Sequence, residues 1–208
     1  MEAFTQHRGK VAILNRANID TDQIIPKQFL KSIKRTGYED GLFFDWRFLE
    51  DGSPNPNFEL NQKHNQGASI LVAGNNFGCG SSREHAVWAV SQYGFKVILA
   101  PKKGDVPAFA DIFFNNSIKN GLLCVSMSQE EISKLIKLVE SNPGLEALVD
   151  LEKQNIEFQD KDKTSFHFEI DPSVKATLLA GLDEIGQTLQ NATAISQFEK
   201  LHHEQKFW

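Results

Sequence analysis

The chain has 208 residues, 40% apolar and 24% charged, with a net charge of −5. Global disorder is excluded by that composition, and the length suits one large domain or two small ones; the acidic balance argues against a nucleic-acid partner, which needs an excess of Lys and Arg. No apolar run reaches the ~18 residues of a membrane helix, and Met1-Glu2-Ala3-Phe4 opens no basic-then-apolar leader, so the expectation is a cytoplasmic protein without a membrane partner.

Residues 10–14 (KVAIL) predict a short buried strand, followed by a polar loop at Asn18-Ile19-Asp20-Thr21-Asp22. Pro26 pushes Ile25 towards an extended conformation, and residues 27–33 predict a short helix. Residues 36–66 show no periodicity and carry a turn-rich tip at 51–57 (DGSPNPN). So long an irregular stretch is uncommon in a compact domain and predicts a functional or docked segment, here a candidate surface for a partner. Residues 69–73 (SILVA) read as a strand buried on both faces. A Gly-rich loop spans 74–82, a helix with an apolar stripe spans 83–93, and Gly94 suits its C-terminal cap. A second buried strand lies at 96–100, a helix at 107–114 and a third strand at 121–125. Ser128 with Glu131 is a capping-box signature for a helix running to about Ser141. The period then changes to two: Ile156 and Phe158, then Phe166, Phe168 and Ile170, predict a hairpin with one wet face. Asp171 and Pro172 open a last helical region, interrupted near Gly186. The strand–helix alternation predicts a parallel sheet with helices; the hairpin and first strand predict a second, mixed layer.

The loop from Gly74 to Ala86 (GNNFGCGSSREHA) leads from a buried strand into a helix, where ligands of open α/β sheets bind. Its glycines and the helix N-terminus suit an anion. It is neither a dinucleotide fingerprint, since Arg83 stands at the last glycine position, nor a Walker loop, which needs a Lys. Ser81 with Glu84 fits a capping box on its own. Arg83 opposes the helix dipole, which calls for an anionic partner: a ligand carboxylate, or an Asp of this chain. His85 suits packing better than base catalysis, Cys79 suits a small filler and Cys124 the core. Asp20 and Asp22 could hold a metal or cap turns. Two cysteines without a C-x-x-C are too few for a zinc-ribbon or iron–sulfur site on this chain.

Three segments resemble the signature segments of the swivelling domain of the aconitase superfamily: residues 18–26 (NIDTDQIIP), residues 74–86, and residues 114–123 (FNNSIKNGLL). The tail at 178–189 (LLAGLDEIGQTL) is similar to the end of bacterial small subunits of 3-isopropylmalate dehydratases. The resemblance covers nearly the whole chain in order. It implies an α/β fold, a layered β/β/α swivelling domain with mixed sheets, occupying 1–208 with a C-terminal helical extension from about residue 172. It implies no cofactor on this chain, a large-subunit partner carrying a four-iron, four-sulfur cluster, and a dicarboxylate substrate. The implied reaction interconverts 2- and 3-isopropylmalate through isopropylmaleate, in leucine biosynthesis. By match to the family's motifs, Ser81 stands at the catalytic base and Asp22 at an active-site acid. Arg83 binds a substrate carboxylate with Ser82 nearby, and Arg35 falls near a further substrate-binding arginine. The family reads substrate type in the segment after the proline, here Phe29-Leu30-Lys31-Ser32, with Phe in place of the commoner Tyr; Ile24, Ile25 or Leu30 would meet an alkyl branch. The same residues also fit a related diacid hydro-lyase of methylmalate or homoaconitate type, or a non-catalytic anion-binding module.

Overall fold

Strand β1 (Gln6–Leu14) is long enough to serve two ladders, and the architecture is built outward from it. A computed structural model describes residues 1–31, 35–81, 83–182 and 184–204. After β1 come a one-turn helix α1 (Thr21–Ile24), α2 (Phe44–Arg47), β2 (Ile70–Ala73), α3 (Glu84–Tyr93), β3 (Val97–Lys102), α4 (Asp111–Lys119), β4 (Leu123–Ser128) and α5 (Gln129–Ser141). The chain then forms β5 (Glu146–Asp150), β6 (Asn155–Phe158), β7 (Ser165–His167), α6 (Pro172–Ala180), α7 (Glu184–Leu189) and α8 (Ala192–Glu204). The strand order is β4-β3-β2-β1-β5-β6-β7. The second half of β1, Val11 to Leu14, pairs parallel with β2, and β3 and β4 continue that parallel ladder. Its first half, Gln6 to Lys10, pairs antiparallel with β5, which leads into the β6–β7 hairpin.

Side-chain alternation along the strands separates two cores. Ala12, Leu14, Leu71, Ala73, Ile98, Ala100 and Cys124 face one of them, which α3 covers with Ala86, Val87, Ala89 and Val90 and α4 with Phe113. Val11, Ile70, Val72, Val97, Leu99, Leu123 and Val125 face the other, covered by α5 and the hairpin. Both faces of β2 are thus buried, which is why its sequence is an unbroken apolar run. The capping box at α5 forms as expected: Ser128 Oγ accepts from the Glu131 N–H and Glu131 Oε2 accepts from the Ser128 N–H at 2.9 Å. Ile132, Leu135 and Val139 then repeat on its inner face.

The mixed α/β fold agrees with the sequence reading, with several differences of detail; β1 starts at Gln6, ahead of the expected 10–14, and the helix expected at 27–33 is a 3-10 turn over Lys27–Lys31, its last two residues lying outside the described ones. The helix expected at 107–114 starts at Asp111, because residues 107–110 are taken up by the Gly-rich loop. Asn76 N–H donates to the Pro107 carbonyl (2.9 Å), Phe77 N–H to that of Ala108 (3.0 Å), and Ala110 N–H back to that of Phe77 (3.0 Å). Strand β4 starts at Leu123, since Gly121 (φ 75°) is still closing α4. In the last helical region the chain breaks at Gly181, the left-handed C-cap of α6, while Gly186 lies inside α7. Strand β5 had no sequence signal beyond its alternating Ala147 and Val149, flanked by Glu146 and Asp150.

The irregular stretch at 36–66 is packed on its own chain. Tyr38, Leu42, Phe43, Phe58 and Leu60 are buried in the α3-side core. Phe43 stacks on Trp46 with ring centroids 5.6 Å apart. Arg16, just past β1, grips the stretch twice: its guanidinium pairs with Glu59 at 2.8 Å and lies 4.5 Å from the Trp46 ring centroid. Among the described residues no helix is long and apolar enough to cross a membrane.

Phe58 is 1% exposed within this packing. Phe58→Ala should therefore cost about 3–5 kcal/mol of unfolding free energy, as for a core aromatic, measured by urea denaturation; a loss below ~1 kcal/mol would show that the stretch is only loosely attached.

Candidate active site

The loops that follow β1 and β2 continue the parallel pairing beyond the ends of the strands. Gly74 N–H donates to the Arg16 carbonyl, Asn18 N–H to that of Asn75, Gly78 N–H to that of Ile19 and Thr21 N–H to that of Cys79, at 2.8–3.2 Å. Asn18 and Asn76 both adopt left-handed backbone (φ 55° and 57°), and the Asn76 amide donates to Asn18 Oδ1 at 2.8 Å. A Cβ at Gly74 would lie 2.4 Å from the Arg16 carbonyl oxygen, and one at Gly78 (φ 76°) only 2.2 Å from the Phe113 ring. The glycines are thus required by close approach as well as by backbone geometry.

Asp20 caps α1 in a full capping box: its Oδ1 accepts from the Gln23 N–H (2.8 Å) while Gln23 Oε1 accepts from the Asp20 N–H (3.0 Å). Turn capping, one of the two roles open to this acid, is the one observed. Asp22, on the same helical turn, accepts a hydrogen bond from Arg83 Nη1 and lies 3.6 Å from Lys27 Nζ. The anionic partner that Arg83 calls for is, within this chain, Asp22. The Thr21 hydroxyl ties the two segments further by donating to the Ser81 carbonyl at 2.8 Å.

Arg83 is the N-cap of α3 and makes no side-chain cap. The Ser81–Glu84 capping box does not form, because Ser81 precedes the cap position by two residues; Glu84 accepts from the Asn120 amide instead (3.0 Å). Asn120 in turn accepts from the Trp88 indole (3.0 Å), so the third signature segment anchors the first turns of α3. Ser81 is exposed, and among the described residues its hydroxyl has no hydrogen-bond partner. The N–H groups of Gly80 and Ser81 donate to no backbone carbonyl among the described residues. Ser81 and Arg83 share a cavity of about 240 Å³ with Thr21, Gly78, Gly80 and residues 110–113. The Arg83 side chain is 16% exposed there, so its charge is held largely out of bulk water.

Other expected residues lie elsewhere. Ser82 falls outside the described residues. Arg35 is on the outer side of α3: its guanidinium is 5.9 Å from the Trp88 ring centroid, its carbonyl accepts from Gln92, and it does not line the cavity. His85 packs edge-on against Tyr38 and Trp88, which agrees with a packing role. Ile24 and Ile25 are fully buried and cannot meet a ligand; Leu30 is partly buried against the core. Burial, with Asp20 nearby, raises the Cys79 thiol above its ordinary range, and burial pushes Cys124 up to about 12, so neither is a reactive thiolate at neutral pH. Among the described residues no three His, Cys, Asp or Glu side chains group to hold a metal. Asp111, Ile112 and Phe113 were missed as cavity residues, because the sequence places them in mid-helix rather than in the first turn.

Known proteins share this architecture. Residues 1–130 match the family model for the aconitase C-terminal domain, and residues 184–208 match that for the C-terminal domain of the 3-isopropylmalate dehydratase small subunit. A 3-isopropylmalate dehydratase small subunit from Desulforapulum autotrophicum is 52% identical over 203 residues, covering 96% of this chain and 95% of that one. A crystal structure of 3-isopropylmalate dehydratase from Methanocaldococcus jannaschii superposes with a TM-score of 0.64 at 26% identity, over 92% of this chain and 98% of the other.

Gly78 and Gly52 both have positive φ, yet a Cβ at Gly52 meets nothing within 4 Å. Alanine at either position carries a backbone cost of about 1–2 kcal/mol. Gly78→Ala should lose a further ~1–3 kcal/mol from overpacking against Phe113, read as the difference between the two variants in urea unfolding; equal losses would mean that the loop repacks freely.

Proposed function

The chain belongs to the 3-isopropylmalate dehydratase small-subunit family, and from that membership we propose how its residues serve a two-chain hydro-lyase. Together with a large subunit it interconverts 2-isopropylmalate and 3-isopropylmalate through isopropylmaleate, in leucine biosynthesis, and we assign the pair to the cytoplasm. We read residues 1–208 as one swivelling domain with a helical extension from about 172. The observation that carries the reading is that Ser81 and Arg83, from one Gly-rich loop, share one cavity at the start of α3.

The substrate is a hydroxylated dicarboxylate, and removing a proton beside a carboxylate builds negative charge. Arg83 receives that carboxylate with the guanidinium edge not bonded to Asp22. Asp22 holds the fork in place and offsets the cost of a cation at the α3 N-terminus. Ser81 in its alkoxide form takes the proton from carbon. A serine is a weak base in water, and among the described residues no histidine hydrogen-bonds it. The N–H groups of Gly80 and Ser81, which donate to no backbone carbonyl among the described residues, and the α3 N-terminus lower the cost of its negative charge. Ser82 and Arg35 remain proposed substrate contacts. Arg35 lies beside Trp88 and outside this cavity, and would meet substrate only from the rim of the assembled pair.

The donor set of this chain does not fit an iron–sulfur cluster: Cys124 is locked in β4, and Cys79 stands alone on its loop. We therefore assign the cluster to the large subunit, where it supplies Lewis-acid activation of the departing hydroxyl.

The test is reconstitution with the cluster-loaded large subunit. Ser81→Ala should lower kcat by at least ~10²-fold, the scale of a lost general base, with co-elution of the two chains unchanged; turnover near the parent level would overturn the assignment. Arg83→Lys should raise KM roughly 10- to 100-fold, the loss of a charge-assisted hydrogen bond, and an unchanged KM would make Arg83 purely a partner for Asp22.

A further inference from the structure

The cavity has two chemically different sides. The Gly-rich loop contributes Ser81, Arg83 and unbonded N–H groups, which suit carboxylate and charge. The first turn of α4 contributes Ala110, Ile112 and Phe113, with Asp111 between them. Phe113 is 2% exposed and shapes the cavity from behind, where Gly78 packs on its ring. Ile112 is 49% exposed, an uncovered large apolar side chain at the second position of a helix, lining the same cavity as Arg83. Its neighbour Asp111 is exposed and has no ion pair among the described residues.

We propose that the first turn of α4 selects the substrate's side group: Ile112 contacts the alkyl branch, and Asp111 repels any branch that carries a further carboxylate. The proposal rests on the hydro-lyase reading above and adds to it the residues that choose among diacids. Ile24 and Ile25, which follow the Asp-Thr-Asp segment, are sealed in the core, and the apolar side chains that line the cavity are those of the α4 turn. A substrate held by Arg83 through one carboxylate faces that wall with its remaining substituents. An alkyl branch gains contact on Ile112, whereas a carboxymethyl branch would be brought up to the like charge of Asp111. The placement also accounts for an exposed isoleucine in the first turn, where it contributes nothing to the α4-side core.

The experiment is a substrate panel on the reconstituted pair. Relative kcat/KM is measured for 2-isopropylmalate, for 2-methylmalate with its smaller branch, and for citrate with a third carboxylate. Ile112→Ala should lower the preference for 2-isopropylmalate over 2-methylmalate by about 10-fold or more, the range for lost branch contacts in an apolar pocket, and Ile112→Leu should restore most of it. Asp111→Asn should raise relative turnover of citrate and leave the isopropylmalate-to-methylmalate ratio unchanged. The variants sit on the surface, so thermal unfolding should match the parent. Three outcomes overturn the proposal. One is unchanged ratios in both variants with the parent fully active, which leaves the hydro-lyase reading intact. Another is an equal fall for every substrate together with weaker co-elution, which makes Ile112 an interface residue. The third is no turnover of 2-isopropylmalate by the parent pair, which removes the hydro-lyase reading itself.

Discussion

The site depends on a backbone ladder that does not stop where strands β1 and β2 end. Parallel pairing requires the two chain segments to run in step, and here they stay in step for several residues after regular strand geometry is lost, through the bonds from Gly74 to Arg16, Asn18 to Asn75, Gly78 to Ile19 and Thr21 to Cys79. Three of these donors, on Gly74, Gly78 and Thr21, belong to buried residues and would otherwise be unpaired away from water. Two left-handed asparagines turn the segments together, and Gly78 passes against the face of Phe113 without a side chain of its own. Asp22 and Arg83 are 61 residues apart in sequence, yet the ladder sets them side by side. The α4 turn joins the same assembly because residues 107–110 pair with Asn76 and Phe77 before the helix begins.

Charge is arranged on that frame with economy. A helix N-terminus already favours an anion, and placing Arg83 at the cap of α3 concentrates positive potential in one small cavity. Left alone, such a cation would repel the aligned peptide dipoles. Asp22 answers this from α1, whose own N-terminus is satisfied separately by Asp20. The two acids of the Asp-Thr-Asp segment thus have different duties. One closes a helix end and the other holds an arginine, and Thr21 between them fixes the Ser81 carbonyl.

Much of this was legible in the sequence where local rules decide. The buried run of β2, the stripe of α3 and the Ser128–Glu131 box were readable because period and cap chemistry act over a few residues. The Gly-rich loop could be placed between a buried strand and a helix, and Arg83 read as a cation in need of an anion. What could not be read was long-range. The identity of that anion as Asp22, the start of α4 at Asp111 and the consequent exposure of Ile112 all follow from loop pairing, which leaves no periodic trace. The stretch at 36–66 misled for the opposite reason. Its lack of period suggests a segment docked on a partner, whereas its aromatics, Phe43, Trp46 and Phe58, gather around Arg16 of the same chain without needing a regular element to carry them.

The two cysteines place a chemical limit on what such a site can do unaided. The loop, the arginine and the serine suit the handling of a carboxylate and a proton, but departure of a hydroxyl from the neighbouring carbon needs an electrophile, and among the described residues the cavity's side chains include no candidate beyond Arg83, already engaged. Cys79 could not become a ligand set by itself: its thiol is pushed towards the protonated form, and Cys124 is sealed within β4. Membership in a small-subunit family agrees with that limit. The cavity at the starts of α3 and α4 therefore handles charge on one side and, through the uncovered Ile112, presents an apolar side chain on the other.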